Sequence, residues 1–410
     1  MRRLDDDILD GLNPAQRDAV LHRDGPLFIL AGAGSGKTRV ITHRIAWLLR
    51  EAATPQEVLA ITFTNKAAGE MRERTERLTG TRGEWITTFH SFGARMLRRW
   101  AYRIEPYDTS FTILDMDDAK SLVADLLRDL RIPSEIWQPG SILQAISRVK
   151  SSHRGDPDAL GTDFRHGRLL RSAYLEYVKR MQERNLVDFD DLLLLLVRLL
   201  EEHPDVLELA RRQFRYVLVD EYQDTNALQY RICRLITAEH ENLCITGDPD
   251  QSIYKWRGAD IRNILEFERD YPKAHVIRLE QNYRSTRNIL HIANGLIAHN
   301  VERKPKELWT EGEDGEPVRV FRSADEHHEA ARIAGIIDTL LSEGASLGDI
   351  AVFYRLNSLS RVIEQELIYR NIPYTIVGGL EFFLRKEVKD VLAWARILDN
   401  PRDSESLKRV

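Results

Sequence analysis

Cysteine is nearly absent from this chain. Only Cys233 and Cys244 occur among 410 residues, and neither lies near a cluster of cysteines or histidines. A chain of this length buries its own core without cross-links, and isolated thiols in apolar stretches are typical of a reducing compartment. The cysteine content therefore argues against a disulfide framework and a zinc site, and we expect a cytoplasmic protein.

Long apolar runs are also absent. The longest unbroken one, residues 192–197, is far shorter than the roughly 20 residues that cross a bilayer. Residues 1–7 contain arginines with no apolar segment behind them, so they do not resemble a secretory signal. We expect no membrane partner.

An excess of positive charge is the third absence, since the formal net charge is −5. That value excludes a globally basic nucleic-acid binder, so any contact with DNA has to be local, in a groove. One candidate cluster contains Arg148, Lys150, His153 and Arg154, although such a run is more often a solvated face.

A glycine-rich segment lies between the apolar residues 27–30 and the helix-like residues 38–50. It consists of Ala31, Gly32, Ala33, Gly34, Ser35, Gly36, Lys37, Thr38 and Arg39. Glycines let several N–H groups face a phosphate, Lys37 reaches the β- and γ-phosphates, and the Thr38 hydroxyl can hold Mg²⁺. The strict pattern has glycine where this chain has Ala31, so the match is to the relaxed form. The alternative is an ordinary glycine-rich turn.

Two carboxylates follow the apolar strand at Tyr216–Val219. Asp220 would hold Mg²⁺ directly or through water, and Glu221 would orient the attacking water and accept its proton. Such a pair is often only a strand end, but behind a phosphate loop it favours catalysis.

A third block, residues 247–258, also follows a strand. The amide of Gln251 can contact both a γ-phosphate and the attacking water. Tyr254 and Trp256 can stack on unpaired bases, although two aromatic residues with this spacing also suit a domain interface.

The fourth block, residues 279–286, lies at a predicted domain boundary. Arg284 can stabilise charge on a transferring γ-phosphoryl group, unless it is simply a surface arginine. Tyr283 can stack on adenine, and Gln16 offers the adenine edge a donor and an acceptor.

Short, continuously apolar runs predict strands that are buried on both faces of a parallel sheet. They lie at residues 27–30, 58–63, 216–219, 243–246 and 275–279. The stretch 95–210 is mainly helical, with helices at residues 117–130, 169–184 and 190–202. Further strands are predicted at residues 318–322, 350–354 and 374–377. The fold class is therefore α/β.

Taken together, the blocks resemble the UvrD/Rep-type superfamily 1 DNA helicases in order and spacing. Further matching segments are residues 60–68, 88–92, 187–192, 354–357 and 377–380. The resemblance implies a P-loop NTPase (RecA-like) domain from residues 1–94 and 211–285, with a helical insertion at 95–210. It also implies the start of a second RecA-like domain at 286–380 and of a second helical insertion at 381–410.

The resemblance implies an ATP- and Mg²⁺-dependent motor that moves 3′ to 5′ on single-stranded DNA in repair or replication. Single-to-double-strand junctions and repair or replication proteins would be its partners. The single-strand track would contain Phe63, Asn65, His90, Tyr254, Trp256, Arg257, Arg355 and Asn357. The ATP cleft would contain Gln16, Lys37, Thr38, Asp220, Glu221, Gln251, Tyr283 and Arg284.

Full members of that family continue well beyond this length, with two late motifs and further strands of the second sheet. We therefore expect a fragment, a truncated reading frame or half of a split protein, with apolar surface exposed on the second domain. Two alternatives remain: a passive ATP- or DNA-binding module, and the helicase half of a helicase–nuclease. A small-molecule kinase fits least, because it would leave the Tyr254 and His90 segments without a purpose.

Overall fold

The computed structural model describes residues 8–132, 137–152, 154–160, 167–301, 303–377 and 386–409. It contains two compact units, one of Met1–Gly315 with Leu392–Val410 and one of Glu316–Val391. Each unit is described by itself. The finer division into domains and insertions stays a prediction.

A parallel sheet of six strands forms the centre of the first unit, in the order β3-β2-β6-β7-β1-β8. The strands of the chain are β1 Leu27–Ala31, β2 Val58–Thr62, β3 Trp85–Thr88, β4 Thr112–Ile113, β5 Leu186–Val187, β6 Tyr216–Val219, β7 Leu243–Gly247 and β8 His275–Leu279. In β1 every residue is buried, and consecutive side chains such as Phe28 and Ile29 lie on opposite faces of the sheet and belong to different cores. The five predicted strands of this sheet and the α/β fold class are confirmed; β3 was not foreseen.

Helices cover both faces of this sheet. Those of the first unit are α1 Pro14–Leu21, α2 Lys37–Glu51, α3 Asn65–Thr79, α4 Phe89–Trp100, α5 Met116–Asp129, α6 Pro139–Ser152, α7 Gly167–Glu183, α8 Phe189–Glu202, α9 Pro204–Gln213, α10 Ala227–Thr237, α11 Arg262–Leu265, α12 Phe267–Asp270 and α13 Arg287–Ile297. Helices α1 to α3 contribute to one core, and α4 and α8 to α10 contribute to the other. Their N-termini lie at caps such as Asn13 and Thr64, whose side chains accept backbone N–H groups.

The stretch between β3 and β6 is helical, as predicted. Helices α5, α6 and α7 share a separate core around Leu122, Ile146 and Tyr177, and β4 pairs with β5 beside it. The predicted helices 117–130, 169–184 and 190–202 are confirmed with ends that differ by one or two residues. None of the described helices combines the length and apolarity needed to cross a bilayer.

The predicted basic cluster of this region is wrong for Lys150. Its ammonium group is buried, 2.6 Å from a carboxylate oxygen of Asp188 and 2.7 Å from one of Asp191. Tyr177 donates a further hydrogen bond to Asp188 at 3.0 Å. Lys150 cannot contact DNA from this position, because Asp188, the N-cap of α8, and Asp191 in its first turn hold it inside. His153 lies outside the described residues.

The second unit is small. Its helices α14 Glu326–Ser342 and α15 Ser360–Tyr369 enclose a core of four buried residues. Two more helices follow, α16 Lys386–Asp399 and α17 Ser404–Arg409. From residue 392 onward these belong to the first unit, where the Asn400 amide donates to the backbone of Arg184 and Asn185 at 3.0 and 3.1 Å.

The strands predicted at residues 318–322, 350–354 and 374–377 are wrong. These segments carry no strand in the described part of the chain. A strand exists only when a neighbour accepts its hydrogen bonds, and none of the three pairs with another. One apolar side chain in each segment stays open to solvent: Val320, Phe353 and Val377 are 92, 92 and 95 % exposed. The last two segments also line a cavity of about 800 Å³.

Candidate nucleotide and nucleic-acid site

The glycine-rich segment forms a loop between β1 and the first residue of α2. Gly34 and Gly36 have φ values of 71° and 88°, in the left-handed region that favours glycine. A Cβ on Gly34 would lie 2.5 Å from the amide nitrogen of Asn282 and 2.8 Å from the Cβ of Arg284. Gly34 is therefore required both by the backbone turn and by the close approach of the fourth block.

Lys37 and Glu221 form an ion pair at the end of this loop. The Lys37 ammonium donates to both carboxylate oxygens of Glu221, at 2.7 and 2.9 Å. Glu221 has φ 52° and ψ 45°, in the left-handed region that few non-glycine residues adopt. The lysine thus has an anionic partner within the chain, and a phosphate has to compete with that carboxylate.

Asp220 lies beside this pair and is buried. One of its oxygens accepts hydrogen bonds from the Thr246 hydroxyl at 2.6 Å and from the Glu221 N–H at 3.0 Å. Burial, and then repulsion by Glu221, raises the pKa of Asp220. A bound cation would offset both effects. The hydroxyl of Thr38 and the carboxylate of Asp220 are oxygen ligands of the kind that Mg²⁺ prefers, so these residues fit such an ion.

Gln223 connects the two strand ends and was missed by the sequence reasoning. It is buried, its amide nitrogen donates to Glu221 at 2.8 Å, and its amide oxygen accepts the Asp248 N–H at 3.0 Å. Its position two residues after the predicted catalytic carboxylate was the available signal. The side chain links the ends of β6 and β7.

Gln251 is the first residue of the third block for which a role is predicted. Its amide nitrogen donates to the Asp248 carboxylate at 2.7 Å. Through Asp248 and Gln223 it is joined to Glu221 by hydrogen bonds. The structure therefore brings the third block to the same end of the sheet as the two carboxylates, as predicted.

An aromatic surface adjoins this polar group. The rings of Phe63 and Tyr254 stack with centroids 4.9 Å apart, and Trp256 lies 6.4 Å from Tyr254. Trp256 is 68 % exposed, and the Arg257 guanidinium lies 4.7 Å from the centre of its ring. Exposed aromatic rings beside a cation suit the stacking of unpaired bases. Four of the predicted track residues thus lie together.

His90 and Asn65 lie at the adjacent ends of β2 and β3. The Asn65 side chain accepts from the Ser91 hydroxyl at 3.4 Å. The His90 ring contacts Phe189 edge to face at 5.6 Å, and burial lowers the pKa of His90, so the imidazole is neutral at pH 7. Phe189 is 55 % exposed, and the sequence reasoning did not name it as a track residue. An apolar residue at the first position of a helix was its signal.

The fourth block is attached to the phosphate loop by Asn282, another residue that was missed. The Asn282 amide donates to the carbonyl of Ala33 at 2.6 Å, and the Tyr283 N–H donates to the carbonyl of Gly34 at 3.0 Å. Arg284 is exposed at this point. The structure therefore places the predicted arginine next to the phosphate loop.

The predicted adenine site is partly occupied by the chain itself. Gln16 is buried, its amide nitrogen donates to the Ser35 carbonyl at 3.0 Å, and its amide oxygen accepts from the Asn13 N–H at 3.1 Å. The Tyr283 ring is exposed, with its hydroxyl held by Asn13 at 2.8 Å. Arg39 donates to a backbone carbonyl at 3.2 Å. Adenine contacts by Gln16 and Tyr283 stay a prediction.

Arg355 and Asn357 belong to the second unit, where both side chains are exposed. Nothing in that unit relates them to the aromatic surface of the first. Their assignment to the single-strand track stays a prediction.

Comparisons with known proteins agree with this site. Residues 12–272 match the family model described as the UvrD/REP helicase N-terminal domain, and residues 277–410 match the UvrD-like helicase C-terminal domain. A protein named ATP-dependent DNA helicase PcrA from Staphylococcus aureus (strain Mu50) is 47 % identical over 408 residues, and one of the same name from Bacillus subtilis (strain 168) is 46 % identical over 416. These alignments cover 98 and 100 % of this chain but only 56 % of each relative. The chain thus spans little more than half the length of those relatives.

Proposed function

Because the chain belongs to the UvrD/Rep family of helicases, we propose that it is an ATP-dependent, 3′ to 5′ DNA translocase or helicase that binds single-stranded DNA. The observation that carries this proposal is the course of residues 247–258. Gln251 in this loop is hydrogen-bonded into the carboxylate cluster, and Tyr254 three residues later is stacked on Phe63. One short loop thus belongs to both the nucleotide site and the aromatic surface.

In this proposal each side chain has a task that its position supports. Lys37 and the loop N–H groups bind the β- and γ-phosphates, while Glu221 orients the attacking water once Lys37 releases it. Thr38 and Asp220 hold Mg²⁺, which supplies neutralisation of phosphate charge when bound. Arg284 stabilises charge on the γ-phosphoryl group.

DNA would lie on the aromatic surface. Stacking of bases on Phe63, Tyr254 and Trp256 is indifferent to sequence, which suits a protein that moves along a strand. Asn65 and His90 would extend this track toward Phe189. The direction of movement, the preference for single-to-double-strand junctions and a role with repair or replication proteins follow from the family alone.

A cytoplasmic location is part of the proposal. Cys233 and Cys244 are both buried free thiols. Burial raises the pKa of Cys233 to about 12, which keeps it protonated and inert. Such thiols suit a reducing compartment.

A second candidate function is binding of ATP and single-stranded DNA without turnover. The observation that favours it is the second unit, whose described residues form no sheet and several of whose apolar side chains are exposed. A motor needs two domains that close on the nucleotide, and the described part of that unit lacks the sheet on which such a domain is built.

The test is ATP hydrolysis by this chain with and without single-stranded DNA, with Lys37→Ala as the matched variant. We expect hydrolysis that rises with DNA and is lost in Lys37→Ala, because the substitution removes the ammonium group proposed to bind the β- and γ-phosphates. Nucleotide and DNA binding measured on the same samples separates the two candidates. Binding without phosphate release supports the passive module, and absence of nucleotide binding contradicts both.

A further inference from the structure

The segment that follows α13 lies against the nucleotide site. Residues 303–309, called the strap here, connect to the end of β8 through hydrogen bonds from the Trp309 N–H to the Glu280 carbonyl at 3.1 Å and from the Asn282 N–H to the Trp309 carbonyl at 2.7 Å. The side chain of Leu308 packs so closely on Gly32 that a Cβ there would clash with it. The strap is therefore a neighbour of the phosphate loop.

Within the strap, Lys306 enters the third block. Its side chain is 3 % exposed, and its ammonium group pairs with Asp248 at 2.5 Å and also with Asp250. Arg303 pairs with the same oxygen of Asp250 at 2.9 Å. The cluster contains two cations and two carboxylates, so its charges balance in a site with little access to water. Buried charges persist only with such partners.

Asp248 lies between Lys306 and Gln251 and accepts hydrogen bonds from both. One oxygen of the Asp248 carboxylate accepts from Lys306 and from the Asp250 N–H at 3.0 Å, while the other accepts from the Gln251 amide nitrogen at 2.7 Å. An ionised carboxylate can only accept hydrogen bonds, so the nitrogen end of the Gln251 amide has to face it. One N–H and the amide oxygen of Gln251 then remain for other groups.

We propose that Lys306 is a positioning residue for Gln251 and acts through Asp248. The task of Gln251 at the γ-phosphate rests on the proposed function, whereas the positioning itself is a property of this chain. Lys306 fixes the Asp248 carboxylate in one orientation and neutralises it. Without that cation the carboxylate turns toward water, and the Gln251 amide loses the acceptor that sets its orientation.

The first experiment observes Gln251 directly and needs no nucleotide. In protein labelled with ¹⁵N at glutamine side chains, Gln251→Glu identifies the Gln251 amide signal by its disappearance. We expect Lys306→Met to shift or broaden that signal, and Lys306→Arg to keep it near its wild-type position. Lys304→Met is the matched control, because Lys304 lies in the same strap but pairs with Glu268 at the surface. An unchanged Gln251 signal in folded Lys306→Met overturns the proposal.

A second variant keeps the proposal testable if Lys306→Met does not fold. Lys306→Met leaves Arg303 as the single cation beside two buried carboxylates, whereas Lys306→Met combined with Asp250→Asn leaves one cation and one carboxylate. The double variant keeps Asp248 and Gln251 intact, so the same change in the amide signal is expected. An unaltered signal in the folded double variant also overturns the proposal.

The second experiment measures DNA-stimulated hydrolysis. We expect kcat of Lys306→Met to fall about tenfold with a KM for ATP within twofold of wild type, because orientation of Gln251 matters after binding. Lys306→Arg should recover most of kcat, and Lys304→Met should match wild type. A wild-type kcat in Lys306→Met overturns the proposal. If the wild-type chain hydrolyses no ATP, the proposed function fails, while the amide signal still decides the role of Lys306.

Discussion

Replacement of Asn282 by alanine tests how the fourth block is held at the phosphate loop. The Asn282 side chain is 2 % exposed and makes three hydrogen bonds to backbone groups. Its amide nitrogen donates to Ala33 at 2.6 Å, and its oxygen accepts from the N–H groups of Arg284 and Ser285 at 2.9 and 2.8 Å. Asn282→Ala removes all three, although no proposed substrate contact is lost.

The magnitude follows from these contacts. A hydrogen bond between protein groups contributes about 1 kcal/mol net, so the three together contribute roughly 3 kcal/mol. The bond to Ala33 joins the block to the loop, and the bonds from Arg284 and Ser285 fix the turn that carries Arg284. A local change of that size moves an equilibrium by about 100-fold. Arginines that act on a γ-phosphoryl group contribute ~10³–10⁵ in rate, so detaching Arg284 is costly. We expect kcat to fall by about 10- to 100-fold in Asn282→Ala.

A double-mutant cycle for DNA-stimulated ATP hydrolysis provides the assay. If Asn282 acts through Arg284, adding Asn282→Ala to Arg284→Ala should cost less than about threefold, because the arginine is already gone. Asn288→Ala is the control, since its amide makes one comparable bond to the Gly315 carbonyl at 2.8 Å. Wild-type hydrolysis by Asn282→Ala, or fully multiplicative effects in the cycle, would refute the reasoning.

Two other predictions concern DNA binding and pH. Trp256→Ala should weaken single-stranded DNA binding by about 5- to 150-fold, corresponding to ~1–3 kcal/mol for one stacked base. Fluorescence anisotropy measures this binding, with Trp394→Ala, at an exposed tryptophan elsewhere, as the control. An equal loss of binding in Trp394→Ala contradicts the prediction. Burial, and then repulsion by Asp188, raises the pKa of Asp191 to about 7 from its usual 3.8. The proton on Asp191 therefore stabilises the folded state at low pH, and this contribution is lost as pH rises from about 4 to 7, with a ceiling of ~4 kcal/mol. Urea unfolding at pH 5 and 8 should show a smaller loss of unfolding free energy for Asp191→Asn than for wild type. Identical losses in the two proteins would contradict the raised pKa of Asp191.

The parts of the fold that could be predicted are those in which local sequence and burial agree. The continuous apolar run of β1 is typical of a strand covered on both faces, and the glycines after it favour a turn. The polar residues that follow β6 and β7 could be assigned to one edge of the sheet because parallel strands end together. The positions of Asp220 and Gln251 relative to the sheet therefore followed from their places in the sequence.

The parts of the fold that could not be predicted depend on pairing with another segment of the chain. Strand β3 has the sequence Trp85-Ile86-Thr87-Thr88, which is too short to be distinguished from a loop by its pattern, and it forms because it pairs with β2. Conversely, residues 318–322 have strand-like composition and no ladder. Strand formation is a property of two segments, so composition alone both missed a strand and added three.

The same limit applies to the site. Lys306 lies 58 residues from Asp248, and Asn282 lies 249 residues from Ala33. Nothing local in the sequence indicates either pairing. Lys306 stands in a segment read as a loop, and a lysine in a loop is usually solvated. Such contacts can be recognised only once the fold is known, which is why residues proposed to contact phosphate were named and residues that hold them in place were not.

The hydrogen bonds that join Lys37 to Asp248 also constrain how a nucleotide could affect the aromatic surface. From Lys37, hydrogen bonds lead through Glu221 and Gln223 to Asp248, and from Asp248 to the loop that carries Tyr254. Gln223 and Asp248 are buried, so neither can exchange its partner for water at little cost. A phosphate that takes Lys37 leaves the Glu221 carboxylate without its cation, and Gln223 is the next group that can respond. Coupling between a bound nucleotide and the aromatic surface, which the proposed function requires, would therefore have a short physical route of hydrogen bonds within the first unit.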